Sequence, residues 1–162
     1  MRSWFRRVQD SSAPRPDTPD PDSPAGLADT LDRLVDRINR SAGRLPIAAV
    51  VAALDVTDIV DQLLDTTLDD GVPDVGVILA VRGIVRDYLP TTLDRFLALD
   101  PSVIDTRLPS GQTPRMQVAE QLANLAGAAA DVLAATRARD ADALVSQGNF
   151  LRTKFTRSDL DL

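Results

Sequence analysis

Residues 76–99 read GVILAVRGIVRDYLPTTLDRFLAL and form the longest nearly unbroken apolar region of the chain. Pro90 interrupts this run, because proline disfavours the α conformation in the residue before it and fits the first turn of a new helix. The stretch therefore predicts helix, kink, helix. Its first half carries apolar residues at the spacing of one buried helical face, namely Val77, Ile78, Val81, Ile84 and Val85.

Helical periodicity continues on both sides of this central stretch, and no segment shows the alternation of a half-buried strand. One amphipathic pattern runs from Leu27 to Ile38, a second begins at Pro46, and a third follows Thr113, a candidate N-cap. The second pattern slips by about one residue near Asp55, which predicts a kink or a new helix at 55–57. Before the slip, its predicted inward residues are Ile47, Val50, Val51 and Leu54.

Two aspartates resemble helix N-caps: Asp74 before the central stretch, and Asp140 before a last helix with Leu144 facing inward. Counting each predicted start, the sequence indicates an all-α protein, an irregular bundle of five to seven helices with a kinked central helix.

Composition divides the chain into three parts. Residues 1–24 combine a basic, aromatic start with a stretch in which Pro and Asp alternate, and they predict a disordered start and linker. Residues 25–156 carry the helical periodicity and predict the bundle domain. Residues 157–162 form a short acidic tail.

The chain contains neither histidine nor cysteine. Histidine is the usual general base near neutral pH and the commonest metal ligand, and cysteine supplies thiolate nucleophiles and metal thiolates. We therefore expect no enzymatic activity, no catalytic residues, no metal site and no cofactor. A carboxylate-only enzyme or a small-ligand-binding helical bundle remains a third hypothesis.

The formal net charge of −6 and the pI of about 4.6 argue against nucleic-acid binding, which requires a basic surface. Of the basic residues only Lys154 is lysine, and aspartate greatly outnumbers glutamate; this bias indicates a GC-rich, actinobacterial genome. No apolar run reaches the length of a spanning helix, and the start lacks the apolar core of a signal peptide. The expected location is the cytoplasm.

Two groups of residues are candidates for binding a partner. Arginines next to aromatic residues suit a membrane surface or an acidic groove, and the first seven residues supply Arg2, Trp4, Phe5, Arg6 and Arg7. A candidate interaction face around the Pro90 bend combines Arg82, Arg86, Tyr88 and Arg95, which would bind carboxylates of a partner. The alternative for this second group is the solvated polar face of a half-buried helix.

The segment RDYLPTTLDRFLAL at 86–99 resembles the tyrosine-leucine-proline segment of the helical domain in 5-bromo-4-chloroindolyl phosphate hydrolysis family proteins, which are linked to toxic-anion (tellurite) resistance. The region from Gln121 to Phe155 is similar to the C-terminal helical pair of the same kind of domain. The resemblance covers about residues 74–156. It implies a helical protein without catalytic residues that works near the membrane.

Two functional hypotheses follow, and both need a partner. The first is a non-enzymatic helical adaptor or scaffold in the cytoplasm that binds another protein. The second is a stress protein of the toxic-anion resistance type, peripheral to the inner face of the membrane and held there by residues 1–9.

Overall fold

A computed structural model describes residues 20–69 and 74–158, with side chains from 20–67 and 74–147. The described residues contain α-helices and short helical turns and no strand, so the prediction of an all-α protein is confirmed. The helices are α1 (Pro24–Ser41), α2 (Ile47–Asp69), α3 (Val75–Gly83), α4 (Leu89–Leu97) and α5 (Pro114–Ser158), with 3₁₀ turns at Ala42–Arg44 and Pro101–Val103.

Helices α3 and α4 are joined by a π-helical turn, Ile84–Tyr88, and together these three elements form one rod over 75–97. The Leu89 amide donates to the carbonyl of Ile84, five residues earlier. Pro90 lies in the first turn of α4 and has no N–H to donate, so the wider turn before it absorbs the defect in the hydrogen-bond ladder. The interruption expected at Pro90 takes the form of a π turn inside a continuous rod.

The described chain therefore has four helical rods, and the prediction of five to seven helices is wrong. Helix α2 runs through 55–57 without a new start, and α5 runs through Asp140. At 55–57 the buried positions Ala53, Val56 and Val60 continue a single face. Around Asp140 the neighbouring alanines are strong helix formers and outweigh the capping preference of one exposed aspartate.

Two predicted helix starts are confirmed. Asp74 precedes α3 and its side chain accepts hydrogen bonds from two amides of the first turn. Thr113 precedes α5, and its Oγ1 accepts from the Met116 amide at 3.3 Å. Pro114 follows as the first residue of the helix, where its missing N–H has no intrahelical partner to lose.

Contacts between the rods give their directions. The carbonyl of Pro21, just before α1, accepts from Arg86, and Arg44, just after α1, donates to the Leu97 carbonyl at 2.7 Å. Helix α1 therefore runs in the same direction as the 75–97 rod. Helix α2 runs alongside α5 in the same way, because both begin near the end of α4 and the Gln62 side chain, late in α2, accepts from Arg137. The fold is an up-down-up-down bundle.

Helix α2 lies at the centre of the bundle and makes its most extensive contact with α5. Its buried face carries residues spaced alternately by four and three, namely Ala49, Ala53, Val56, Val60 and Leu63. Ala126 and Ala129 are buried on α5. Small side chains on both helices allow their backbones to approach closely. Larger side chains, such as Val56, Val60 and Leu63, fill the core beside this contact.

The residues predicted to face inward at the start of α2 are not its buried face. Ile47 is 84% exposed and Val51 57% exposed, while Val50 and Leu54 are only half-buried. The prediction chose the largest apolar side chains, whereas the register of the continuous helix is set by Val56, Val60 and Leu63 further along. Extending that face backwards by helical spacing selects the alanines.

This register predicts different costs for the same substitution at two positions of α2. Val56→Ala, at a fully buried position, should lower the free energy of unfolding by about 2–3 kcal/mol through lost burial and the cavity left behind. Val51→Ala, at an exposed position, should change it by less than about 0.5 kcal/mol. Urea unfolding followed by circular dichroism measures both, and equal costs would contradict the register.

Candidate functional site

Arg82 and Arg86 lie one helical turn apart and both face the segment that leads into α1. Arg82 Nε and Arg86 Nη2 each lie 3.4 Å from Oδ1 of Asp22. Arg86 Nη2 also donates to the carbonyl of Pro21 at 2.7 Å. The Asp22 Oδ1 atom is shielded from solvent and accepts no hydrogen bond from the described residues. The two guanidinium groups therefore compensate this carboxylate by charge alone.

The same segment is fixed to α1 by a cap and by close packing. The Ser23 Oγ accepts from the Gly26 amide at 3.1 Å, and the Ser23 amide donates to the Asp20 carbonyl at 2.8 Å. A Cβ atom on Gly26 would lie 2.5 Å from the Asp20 carbonyl oxygen and 2.7 Å from that of Pro21. Glycine at position 26 is thus required, because the backbone of 20–21 folds back against the first turn of α1.

Beyond Gly26, an open groove continues along the same face of α1, between this helix and the π turn. Its volume is about 510 Å³. Buried Leu34 and Val85 and half-buried Pro90 supply the apolar part of its surface. We call this the arginine groove, and its lining residues are Thr30, Arg33, Leu34, Arg37, Val85, Arg86 and Pro90.

The three arginines of the groove have different partners. Arg86 binds Pro21 and Asp22 as described, and Arg37 forms an ion pair with Asp94 of α4. Arg33 donates to the Thr30 hydroxyl at 3.0 Å, and no carboxylate of the described residues pairs with it. Guanidinium groups next to an apolar surface are suited to bind an extended segment that carries both carboxylates and apolar side chains.

The structure separates the candidate face around Pro90 into two parts. Arg82 and Arg86 meet at Asp22, whereas Tyr88 lies against Gly83, where an added Cβ would be 3.5 Å from the ring. Arg95 lines another cleft, of about 210 Å³, where α4 meets the start of α5. Residues four or seven apart share a helical face. Arg82 and Arg86 therefore lie on one face of the rod, and Tyr88 and Arg95 lie on another.

Sequence reasoning did not select Arg33 and Arg37 as site residues. Both belong to the polar face of the first amphipathic pattern, and like-charge neighbours four residues apart read as a solvated surface. A signal was present: Gly26, Thr30, Arg33 and Arg37 follow at spacings of four, three and four, which places them in one row along α1. What the sequence lacked was the second wall of the groove, which comes from the π turn more than 45 residues later.

A second cleft, of about 250 Å³, lies where α2, α3 and α5 meet, and Thr66, Thr67, Asp74, Thr136 and Arg139 line it with three neighbours. The three threonine hydroxyls donate to carbonyls of their own helices. Asp74 accepts from the amides of Gly76 and Val77 at 2.7 and 3.3 Å and pairs with Arg139. Among these contacts, the pair of Asp74 with Arg139 joins the start of α3 to α5.

The hydrogen bonds from Gly76 and Val77, followed by the charge of Arg139, hold the pKa of Asp74 below its usual range. A carboxyl whose pKa is lower in the folded state stabilises the fold when the pH is above its ordinary, unfolded-state pKa. This stabilisation is lost as the pH falls through the pKa of the folded state. The cap of α3 and its contact with α5 should therefore weaken in acid.

Replacing Asp74 tests this pH dependence. Asp74→Ala should lower the unfolding midpoint in urea at pH 7, where the carboxylate caps α3 and pairs with Arg139. The difference in midpoint between the variant and the unmodified chain should shrink as the pH falls below the ordinary carboxyl pKa of 3.8. Protonation of Asp74 then removes from the unmodified chain the interactions that the variant already lacks.

The matched control is Asp61→Ala on the exposed face of α2, which should leave the midpoint nearly unchanged at pH 7. If Asp74→Ala lowers the unfolding midpoint by the same amount at pH 7 and at pH 3, the charge of the Asp74 carboxylate makes no contribution to stability.

The other predicted binding residues, Arg2, Trp4, Phe5, Arg6 and Arg7, lie outside the described residues. Within the described ranges, no three carboxylates are grouped closely enough to hold a metal ion. None of the helices in those ranges combines the length and the apolar character needed to cross a bilayer.

Comparisons of the whole chain with protein-family models, with curated proteins and with solved structures give no match. The resemblance of residues 74–156 to the toxic-anion resistance group therefore stays a prediction from sequence.

Proposed function

We propose that this chain is a non-enzymatic helical adaptor of the cytoplasm and that it binds another protein through the far part of α5. One observation carries the proposal: α5 continues to Ser158, past Ala143, its last residue that lines the cleft with α2 and α3. The helix has 45 residues, which corresponds to about 68 Å at 1.5 Å per residue, and the last buried one among its described side chains is Thr136. Every described side chain from 137 to 147 is exposed.

The projecting part of α5 carries apolar side chains that the bundle does not cover. Leu144 is 71% exposed and Val145 62% exposed. In sequence, Leu151 and Phe155 follow Leu144 at spacings of seven and eleven residues, which is the period of an amphipathic helix. Single exposed apolar residues are ordinary on protein surfaces, but a row of them along one helix favours a binding face.

Helix energetics favour a covered state for this segment. A helix without tertiary packing is marginally stable in water, since most helical stability in proteins comes from burying an apolar face. Burying one leucine or valine side chain contributes about 1.5–3 kcal/mol. A partner that packs on Leu144 and Val145 would supply the stabilisation that the bundle supplies to the rest of α5.

The non-enzymatic part of the proposal is supported by the residues available. Neither histidine nor cysteine occurs in the sequence. Several charged groups of the described residues are paired with one another, as Arg139 is with Asp74 and Arg115 with Asp105. These pairs hold elements of the fold in place.

The experiment compares capture of partner proteins by two variants of the full chain. Leu144→Asp with Val145→Asp places two charges in the apolar row of α5. If this row is the binding face, capture from a lysate of the source organism should fall at least about tenfold, because each 1.4 kcal/mol of lost binding energy is a factor of ten.

The matched control is Ala135→Asp with Ala138→Asp, two exposed positions earlier on α5, which should leave capture unchanged. Circular dichroism verifies that both variants keep their helix content. Equal capture by all three proteins would contradict the proposal. Sedimentation with anionic phospholipid vesicles that requires Trp4 and Phe5 would instead support the peripheral membrane protein of the toxic-anion resistance type.

A further inference from the structure

We propose that the arginine groove is an intramolecular docking site for the acidic, proline-rich segment 14–19 of the same chain, with Asp17 paired to Arg33. The inference concerns a different surface from α5 and does not depend on the adaptor proposal. It begins with the way the chain reaches the groove.

The described chain begins at the end of the groove. The backbone of Asp20 and Pro21 packs against Gly26, and Arg86, which lines the groove, donates to the Pro21 carbonyl. This backbone already runs back along α1, past the N-cap at Ser23. The row of Gly26, Thr30 and Arg33 then leads from the covered first turn of α1 into the open groove. Segment 14–19 would extend the contact that Asp20 and Pro21 already make with α1 and Arg86.

The spacing of charges matches along this path. From Gly26 to Arg33, α1 rises about 10 Å at 1.5 Å per residue. From Asp20 back to Asp17, a polyproline-type chain covers about 9 Å at 3.1 Å per residue. The prolines at 14, 16 and 19 favour that extended conformation. Asp17 would therefore reach the level of Arg33, whose guanidinium has no carboxylate partner among the described residues.

The side chains of the segment also suit the two surfaces of the groove. A polyproline helix has three residues per turn, so Pro16 and Pro19 share one face and Asp17 shares another with Asp20. Pro16 and Pro19 would contact the apolar surface of Leu34, Val85 and Pro90, while Asp17 turns to the arginine wall. Arg15 falls on the third face, with Thr18, directed away from the arginines.

Asp22 shows that the surface already binds a carboxylate of this kind of sequence. It belongs to the same run of alternating proline and aspartate, PRPDTPDPD at 14–22, and it lies between Arg82 and Arg86. Asp17 with Arg33 would repeat this arrangement further along α1.

The absence of cysteine makes a direct test possible, because one introduced thiol is the only one in the chain. A nitroxide attached at Thr18→Cys in the ¹⁵N-labelled full chain should broaden the amide signals of Thr30–Arg37 in a ¹H–¹⁵N spectrum. Adding Asp17→Asn or Arg33→Gln should reduce this broadening at least twofold. The matched controls, Asp10→Asn and Arg40→Gln, should not change it; Arg40 lies on α1 outside the groove.

Two results would overturn the proposal. Broadening that is absent, or that Arg33→Gln and Arg40→Gln leave equally strong, would show that the segment does not dock through Arg33. A mixed sample would contain ¹⁵N-labelled chain without nitroxide and ¹⁴N chain with nitroxide. Broadening of the amide signals of the ¹⁵N-labelled chain would then show that the segment occupies the groove of a second copy. Spectra of the unlabelled variants verify that each one keeps the fold.

Discussion

The structure depends on the close contact between α2 and α5. Alanines on both helices let two backbones that run in the same direction approach each other, and Val56, Val60 and Leu63 fill the core beside this contact. The other rods are arranged around this pair: α1 packs on α2, and the 75–97 rod contacts α1, α2 and α5. The buried face of α2 contacts all three other rods, and the two surfaces considered for binding lie at an edge and beyond the end of the bundle.

The two surfaces described above differ in chemistry for that reason. The arginine groove lies at an edge, where α1 and the π turn leave a gap that α2 does not fill, and polar side chains of both elements line it. The far part of α5 lies beyond the end of the bundle, where nothing in the described chain covers its apolar residues. The partners proposed for the two surfaces differ accordingly, an acidic segment for the first and another protein with apolar contacts for the second.

Local features of the fold were predictable from the sequence, and features that join distant segments were not. The caps at Asp74 and Thr113 involve amides two or three residues away, so the pattern of residues contains the whole interaction. The pairing of Asp22 with Arg82 and Arg86 joins segments 60 or more residues apart, and no local pattern indicates it. The α2 register failed for a related reason: hydrophobicity ranks Ile47 above Ala49, but a neighbouring helix that approaches closely selects the smaller side chain. At Asp140 a capping preference was outweighed by alanines on either side.

The central position of α2 also has a consequence for the order in which the bundle assembles during synthesis. Its main packing partner, α5, is the last of the described helices, and 44 residues separate the two helices. Until α5 is synthesised, α1 and the 75–97 rod are available to α2, but the part of its alanine and valine face that packs on α5 is uncovered. Cooperative folding therefore waits until α5 has been synthesised. During that time the nascent chain exposes an apolar helical face that chaperones recognise and that other nascent chains can join.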